Sequence, residues 1–207
     1  MFGRARKSSK YNFSTLGENI TTPKIVKKFK GPDLAIIGQV PTFQFTNQHN
    51  NKISNKDYKG KVYVVEFFFT TCPSICPIMN ENMVKIQNAF YGNPNFGIAS
   101  FTINPEYDTP KVLLDYALSY KITNPNWHLL TGSREAIYTL ANKGFNLYAA
   151  EAPEVEGGFE HSGFFALIDK DGNIRSRKDK QGNPIIYYDG LSQEGISQII
   201  EDIELLL

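Results

Sequence analysis

The two cysteines of the chain, Cys72 and Cys76, lie four positions apart within the segment FFFTTCPSICPIM. Thiolates are soft metal ligands and, when paired, redox partners, so this placement concentrates both chemistries in one short segment. Three residues separate the cysteines, rather than the two of thioredoxin-type redox motifs. From spacing alone, the pair can form a disulfide, bind one metal ion, or pack together in the core.

An apolar run precedes the cysteines and a helical pattern follows them. Residues 62–69 read VYVVEFFF, which is typical of a strand covered on both faces. Because a residue before proline avoids helical torsions, we expect both cysteines to be extended or turn-like, with Pro77 near the first helical position. A helix N-terminus favours a thiolate over a thiol. Apolar residues then recur at helical spacing before a terminating glycine, namely Met79, Met83, Ile86, Phe90 and Gly92.

Four segments in order resemble the Sco/SenC family: the cysteine segment, NPEYDTP at 104–110, WHLLTG at 127–132 and EHSGFFALIDKDGNI at 160–174. The resemblance spans roughly residues 38–207. Members of that family are thioredoxin-fold copper-binding proteins that help to build the binuclear copper site of cytochrome c oxidase. They bind copper through both cysteines of the motif and one downstream histidine.

The resemblance implies that Cys72, Cys76 and His161 are the metal ligands in this chain. Two thiolates and an imidazole suit Cu(I), and added oxygen or nitrogen donors allow Cu(II). Zinc is the competing metal, because two cysteines, a histidine and a water also form a zinc site. The ordinary alternative for His161 is a loop histidine bonded to backbone groups. Its segment GGFEHSG has the glycines of a loop that can fold over a site.

Other polar and soft residues have more ordinary interpretations. His49 lies in the polar stretch TNQHNNKI, which indicates an exposed hairpin loop, and His128 belongs to a strand pattern, where a hydrogen-bonded histidine at a sheet end is expected. Met79 and Met83 share the helical phase of core residues, so we expect them to pack rather than bind metal. Glu66 is either a buried, hydrogen-bonded carboxylate or faces a wet edge of the sheet.

A second loop with polar residues follows the strand pattern FGIASFTI. Thr109 is a good N-cap and Pro110 a good first residue for the next helix, which places this loop at a strand end, where α/β sheets form functional crevices. The family often has an acidic residue where this chain has Asn104, which puts a carboxylate contribution to the copper site in question. Asp108 matches the family pattern. We expect it either to support the copper ligands or, more ordinarily, to cap the helix or make a structural hydrogen bond.

Length and composition predict one globular domain at 32–207 after a basic arm at 1–31, since an apolar content of 41% is sufficient for a sizeable core. Strands alternating with helices indicate an α/β fold with a central mixed sheet covered on both faces. The resemblance implies that it is thioredoxin-like. The patterns predict an N-terminal β-hairpin at 41–53, strands at 62–69, 96–103, 127–131, 145–149 and 164–168, and helices after the cysteines and at 110–120, 134–142 and 193–206.

The arm carries eight lysines and arginines against Glu18 alone, so it is either the membrane-proximal remnant of an anchored form or a solvated tail. The chain contains no apolar run of membrane-spanning length and no signal-peptide pattern. The family resemblance implies a periplasmic or other extracytoplasmic location, and we expect the full-length form to be membrane-anchored. The net charge of +1 gives no indication of nucleic-acid binding.

The leading functional hypothesis is a non-catalytic copper metallochaperone that passes metal to a partner's cysteines. The resemblance implies that the copper-bearing subunit of cytochrome c oxidase is the recipient, with other copper chaperones as further partners. The alternative is a thiol-disulfide oxidoreductase that keeps partner cysteines reduced, with Cys72 and Cys76 as the redox pair, His161 as proton carrier and thioredoxin-like reductants as partners. A third hypothesis, a peroxiredoxin-like peroxidase, requires only one attacking thiol.

Overall fold

The computed structural model describes residues 33–207, and the basic arm predicted at 1–31 lies outside the described residues. The strands are β1 (Ala35–Gln39), β2 (Gln44–Asn47), β3 (Lys52–Ser54), β4 (Val62–Phe68), β5 (Phe96–Thr102), β6 (Trp127–Thr131), β7 (Ala149–Glu151), β8 (Phe159–His161), β9 (Phe164–Ile168), β10 (Asn173–Ser176) and β11 (Tyr188–Asp189). The helices are α1 (Ile75–Ala89), α2 (Pro110–Ser119), α3 (Arg134–Thr139) and α4 (Gln193–Leu206), with a 3-10 turn at Asn55–Tyr58 and a π-helical segment at Leu140–Phe145.

A mixed sheet forms the centre of the described residues. Its nine strands run in the order β1-β10-β9-β4-β5-β6-β2-β3, with β11 pairing to β9. Strands β4, β5 and β6 are parallel, whereas β9 is antiparallel to β4. Every residue of β4 and β5 is buried, as the near-continuous apolar runs predict for strands covered on both faces.

Neighbouring residues of β4 show how the helices are distributed. Successive side chains of a strand point to opposite faces. The ring of Phe68 contacts Tyr116 of α2 at 5.6 Å, whereas the ring of Phe67 contacts Phe145 of the π-helical segment at 5.9 Å. Helix α1 packs beside α4 and bonds to α2, so these three helices cover one face and α3 with its π-helical continuation covers the other. The predicted helices on both faces are confirmed.

The N-terminal hairpin predicted at 41–53 is confirmed as β2 and β3, and it extends the main sheet. β2 pairs antiparallel with β3 and also with β6, where Thr46 lies opposite Thr131. The predicted N-cap of α2 is also confirmed, since the Thr109 side chain accepts a hydrogen bond from the Val112 amide.

The strand predicted at 145–149 is wrong. Instead of ending at Asn142, the helical segment continues as a π-helix to Phe145, and Asn146 adopts a left-handed conformation that ends it. The strand begins only at Ala149 and pairs with β8 in a separate two-stranded sheet. None of the helices within residues 33–207 is long and apolar enough to cross a lipid bilayer.

Candidate metal centre

The cysteine loop connects the end of β4 to the start of α1. Cys72 lies in the loop, where its amide donates to the carbonyl of Phe69 at 3.3 Å. Cys76 was expected before the helix, but α1 begins at Ile75 and so places Cys76 in its first turn. The correction has a physical reason: the first amides of a helix have no intrahelical acceptor, so Pro77 fits as a third helical residue without loss of a hydrogen bond.

His161 reaches the cysteines at the end of the β7–β8 hairpin. It lies opposite Ala149 in that pair, and Gly157 and Gly158 take the positive φ angles of the turn. The side chain of Asn142, in the π-helical segment, bonds both the amide and the carbonyl of Ala149. The helix therefore holds the base of the hairpin that carries the histidine.

The structure brings Cys72, Cys76 and His161 together. Their ligand atoms all lie within 4.8 Å of one another, and Cys76 Sγ is 3.0 Å from His161 Nε2. A planar three-coordinate ion with bonds of about 2.0–2.3 Å would space its ligand atoms about 4 Å apart. Both thiols are free, and this is the one cluster of potential metal ligands that the described residues contain. The trio needs only small adjustments to bind a single ion.

A hydrogen bond at the ring nitrogen that faces away from the cysteines fixes the orientation of the imidazole. His161 Nδ1 lies 3.1 Å from the carbonyl oxygen of Ser162, which can only accept a hydrogen bond. Nδ1 therefore carries the proton, and Nε2 presents its lone pair towards the cysteines, as a metal-ligating nitrogen must. The ring also packs edge-on against Phe69, with centroids 5.8 Å apart.

The two sulfurs differ in exposure and in electrostatics. Cys72 is 9% exposed, whereas Cys76 is 1% exposed. A hydrogen bond from the Cys76 thiol holds the pKa of Cys72 well below its usual range. The same hydrogen bond and burial raise the pKa of Cys76. Cys72 is therefore the thiolate of the pair and Cys76 the thiol.

A cavity of about 250 Å³ opens onto the outer sulfur. Cys72 and His161 lie on its wall, so a molecule entering from solvent meets two of the three donor atoms. The remaining lining is mainly apolar, and it consists of Phe69, Ser74, Ile75, Tyr148, Val155, Phe159 and Glu160. Larger clefts at the N-terminal hairpin are lined by no cysteine or histidine.

Asp108 does not join the metal-ligand cluster but ties the cysteine loop to the end of β5. Its buried carboxylate accepts from the Thr70 amide at 3.1 Å and from the hydroxyls of Thr70 and Thr102. Burial raises the pKa of Asp108 even though these hydrogen bonds act in the opposite direction. Thr109 caps α2, so the capping role considered for Asp108 belongs to its neighbour. No hydrogen bond from the Asn104 side chain to the cysteine loop is present among the described residues.

Glu66 is fully buried in β4, which resolves the two alternatives left by the sequence. Oε1 accepts from Ser100 Oγ at 2.6 Å, and Trp127 Nε1 donates to the same hydroxyl at 2.9 Å. Oε2 has no partner within the described residues. Burial raises the pKa of Glu66 to about 7, because the charged form is poorly solvated in the core.

Asn80 is a residue of the site that sequence reasoning missed. Its Nδ2 donates to the carbonyl of Cys76 and to the hydroxyl of Tyr116, both at 2.8 Å, so it links the first turn of α1 to α2. The available signal was an asparagine one turn after Cys76, on the face otherwise occupied by Met79 and Met83.

The other residues with ordinary interpretations behave as expected. His49 is exposed in the hairpin turn, whereas His128 is hydrogen-bonded through Nδ1 to Asn47 at 3.2 Å, and burial lowers its pKa to about 4. Met79 and Met83 are fully buried in the core.

Comparison with known proteins agrees with this geometry. The sequence profile of the SCO1/SenC family matches residues 37–194. The chain belongs to the SCO1/SenC family. A SCO1/SenC family lipoprotein from Bacillus anthracis str. Ames is similar over 82% of this chain and 95% of its own, with 32% identity and a TM-score of 0.71.

Two further solved structures share the SCO1/SenC fold with this chain. BsSco, a member of the Sco family of cytochrome c oxidase assembly proteins in which a disulfide switch has been identified, is 30% identical with a TM-score of 0.69 over 83% of this chain and 95% of its own. ScoI of Bradyrhizobium japonicum, solved with copper bound, is 23% identical with a TM-score of 0.63 over 82% and 99%. The thioredoxin-like fold implied by the resemblance is confirmed.

Proposed function

We propose that this SCO1/SenC protein is a copper metallochaperone that carries one copper ion on Cys72, Cys76 and His161 and passes it to a partner's cysteines. The observation that carries the proposal is the convergence of the three donor atoms within 4.8 Å from two distant parts of the chain. The copper-bound ScoI relative supports it, because that protein places copper in the same fold.

The chemistry of the donors agrees with copper as cargo. Two thiolates and one imidazole are soft to intermediate donors, which select Cu(I) over hard cations such as Mg²⁺ and Ca²⁺. Cys72 enters as a thiolate, His161 offers Nε2, and Cys76 must release its proton to complete the set. Zinc accepts the same three donors and remains the competing metal.

The exposure of the donors favours transfer as well as binding. Cys72 faces the cavity that opens to solvent, and Cys76 lies behind it. An incoming partner thiolate can therefore bond to the ion while the bond to Cys72 breaks, and the ion moves without a change in its oxidation state. Because the exposed ligand is replaced first, the copper ion does not have to lose all three donors at once.

Asp108 has a positioning role in this proposal. Through Thr70, which lies two residues before Cys72, its carboxylate fixes the start of the cysteine loop against the end of β5. The metal then meets a loop whose backbone is already ordered, which lowers the entropy cost of binding.

Family membership supports cytochrome c oxidase as the recipient system. BsSco belongs to the oxidase assembly proteins, and the family includes a lipoprotein. We therefore propose the copper-bearing subunit of the oxidase as partner, other copper chaperones as donors, and an extracytoplasmic, membrane-anchored full-length form.

The asymmetry of the two thiols favours one alternative function, a thiol-disulfide oxidoreductase. An outer thiolate at Cys72 and an inner thiol at Cys76 are the arrangement needed for attack on a partner disulfide followed by resolution. The disulfide switch identified in BsSco, a relative 30% identical to this chain, supports this alternative. In this alternative, thioredoxin-like reductants restore the dithiol.

Metal titration of the reduced protein separates the two functions. We expect one copper per chain, a loss of copper affinity of about tenfold or more in His161→Ala, and an altered copper spectrum, while His49→Ala titrates like the wild type. If His161→Ala keeps the affinity and spectrum while Cys72→Ser abolishes disulfide reduction, the chaperone proposal fails and the oxidoreductase stands.

A further inference from the structure

The β7–β8 hairpin that carries His161 is strongly acidic. It contains Glu151, Glu154, Glu156 and Glu160, and the chain has no lysine or arginine between positions 143 and 170. Since the whole chain has a net charge of only +1, this segment concentrates negative charge beside the metal centre.

Most of this charge is not neutralised locally. Arg134 forms ion pairs with Glu151 and with Glu106, which accounts for one carboxylate of the hairpin. Within residues 33–207, no cationic group lies within ion-pair distance of Glu154, Glu156 or Glu160, and all three are exposed. Three solvated carboxylates therefore border the approach to the site.

Exposed apolar side chains share the cavity with one of these carboxylates. Tyr148 is 55% and Val155 37% exposed, and both line the cavity that leads to Cys72 and His161. Glu160 lines the same cavity. We call Tyr148, Glu154, Val155, Glu156 and Glu160 the acidic hairpin surface. It combines exposed apolar contacts with negative charge, and protein interfaces also combine apolar and polar contacts.

We propose that the acidic hairpin surface docks a protein segment whose cysteine is flanked by basic side chains, so that charge selects which thiol reaches the metal centre. This inference rests on the proposed function and deepens it by naming the chemistry of the partner. Opposite charges across a solvated rim mainly raise the rate of encounter, and salt screens the effect. Contacts with Tyr148 and Val155 then exclude water around the exchanging sulfurs.

The test measures thiol exchange with two synthetic peptides, in which one cysteine is flanked on each side by two lysines or by two glutamates. Each peptide carries a 2-nitro-5-thiobenzoate disulfide. The Cys72 thiolate attacks the peptide sulfur, a protein–peptide disulfide forms, the original disulfide breaks, and nitrothiobenzoate leaves with the electron pair. Its release is followed by absorbance, and each rate is divided by that of the same peptide with β-mercaptoethanol.

We expect the lysine peptide to react about tenfold faster than the glutamate peptide at low ionic strength. The preference should shrink in about 1 M salt, where the Debye length falls to about 3 Å. It should also shrink in the triple variant Glu154→Gln, Glu156→Gln, Glu160→Gln. The matched variant Asp171→Asn, Glu194→Gln, Glu204→Gln removes the same charge from exposed positions elsewhere and should keep the preference.

Equal rates for the two peptides, or a preference that survives in the hairpin triple variant, would overturn the proposal. Copper titration of the unaltered protein separates this failure from failure of the proposed function. If the unaltered protein binds one copper per chain but reacts equally with both peptides, only the docking surface is rejected. Loss of copper binding in the unaltered protein rejects the metallochaperone whatever the peptides show.

Discussion

Replacing Asp108 tests whether the cysteine loop is held by one buried carboxylate. Asp108→Ala leaves the Thr70 amide and two hydroxyls without their acceptor, and an unsatisfied buried donor costs about 1–3 kcal/mol. The hydroxyls can rotate towards other acceptors, but the amide cannot. We therefore expect Asp108→Ala to lower the free energy of unfolding by about 3 kcal/mol.

Asp108→Asn should be much milder. An asparagine oxygen can still accept from the Thr70 amide and the Thr102 hydroxyl, while its amide group can donate to the Thr70 hydroxyl, which also accepts. The charge-assisted part of the hydrogen bonds is lost, but so is the cost of the buried charge that raises the Asp108 pKa, so we expect the free energy of unfolding to change by no more than about 1 kcal/mol.

Urea unfolding of the reduced, metal-free protein measures both costs. Asp115→Ala is the control, because Asp115 is an exposed helix residue whose one ion-pair partner within residues 33–207 is Lys111, and its loss should change the free energy of unfolding by less than about 0.5 kcal/mol. A cost below about 1 kcal/mol for Asp108→Ala, or equal costs for the alanine and asparagine variants, would refute the reasoning. A double-mutant cycle with Thr70→Val should show coupling of about 1–2 kcal/mol.

Three further predictions concern the buried groups and the metal. Burial raises the folded-state pKa of Glu66 from 4.5 to about 7, so ionisation of Glu66 destabilises the fold as the pH rises through this window. Glu66→Gln should therefore raise the free energy of unfolding by up to about 3 kcal/mol at pH 8 and by little at pH 4, as measured by urea unfolding. Iodoacetamide near pH 6 should label Cys72 and spare Cys76, and equal labelling in the mass spectrum would contradict the assigned asymmetry. Copper should raise the Tm of the reduced protein but not that of Cys72→Ser, and a chelator should reverse the increase.

Local patterns were sufficient where an element is specified by its own residues. The last helix was predicted at 193–206 and begins after Ser192, whose side chain accepts from the Gly195 amide. The buried strands β4 and β5 were also predictable from the sequence, because their apolar runs reflect burial on both faces.

Tertiary contacts decided the features that the sequence did not show. β7 has three residues and is stabilised by pairing with β8 and by Asn142, so no local alternation of apolar and polar residues predicts it. The helical conformation of Cys76 overrides the usual preference of a residue before proline. The meeting of His161 with the cysteines joins segments far apart in the chain, and only the family resemblance indicated it.

The two hydrogen bonds between Asn142 and Ala149 allow a residue that is not a metal ligand to influence metal affinity. Two donors belong to the junction between the cysteine loop and α1, but the third lies on β8, opposite Ala149, and the Asn142 side chain holds Ala149 through two hydrogen bonds. Substitution of Asn142 would loosen the start of β7 and lower the affinity for copper, although all three donor residues remain unchanged. Because Ala149 lies directly opposite His161, metal affinity can thus drift, or be selected, through a residue that is not itself a metal ligand.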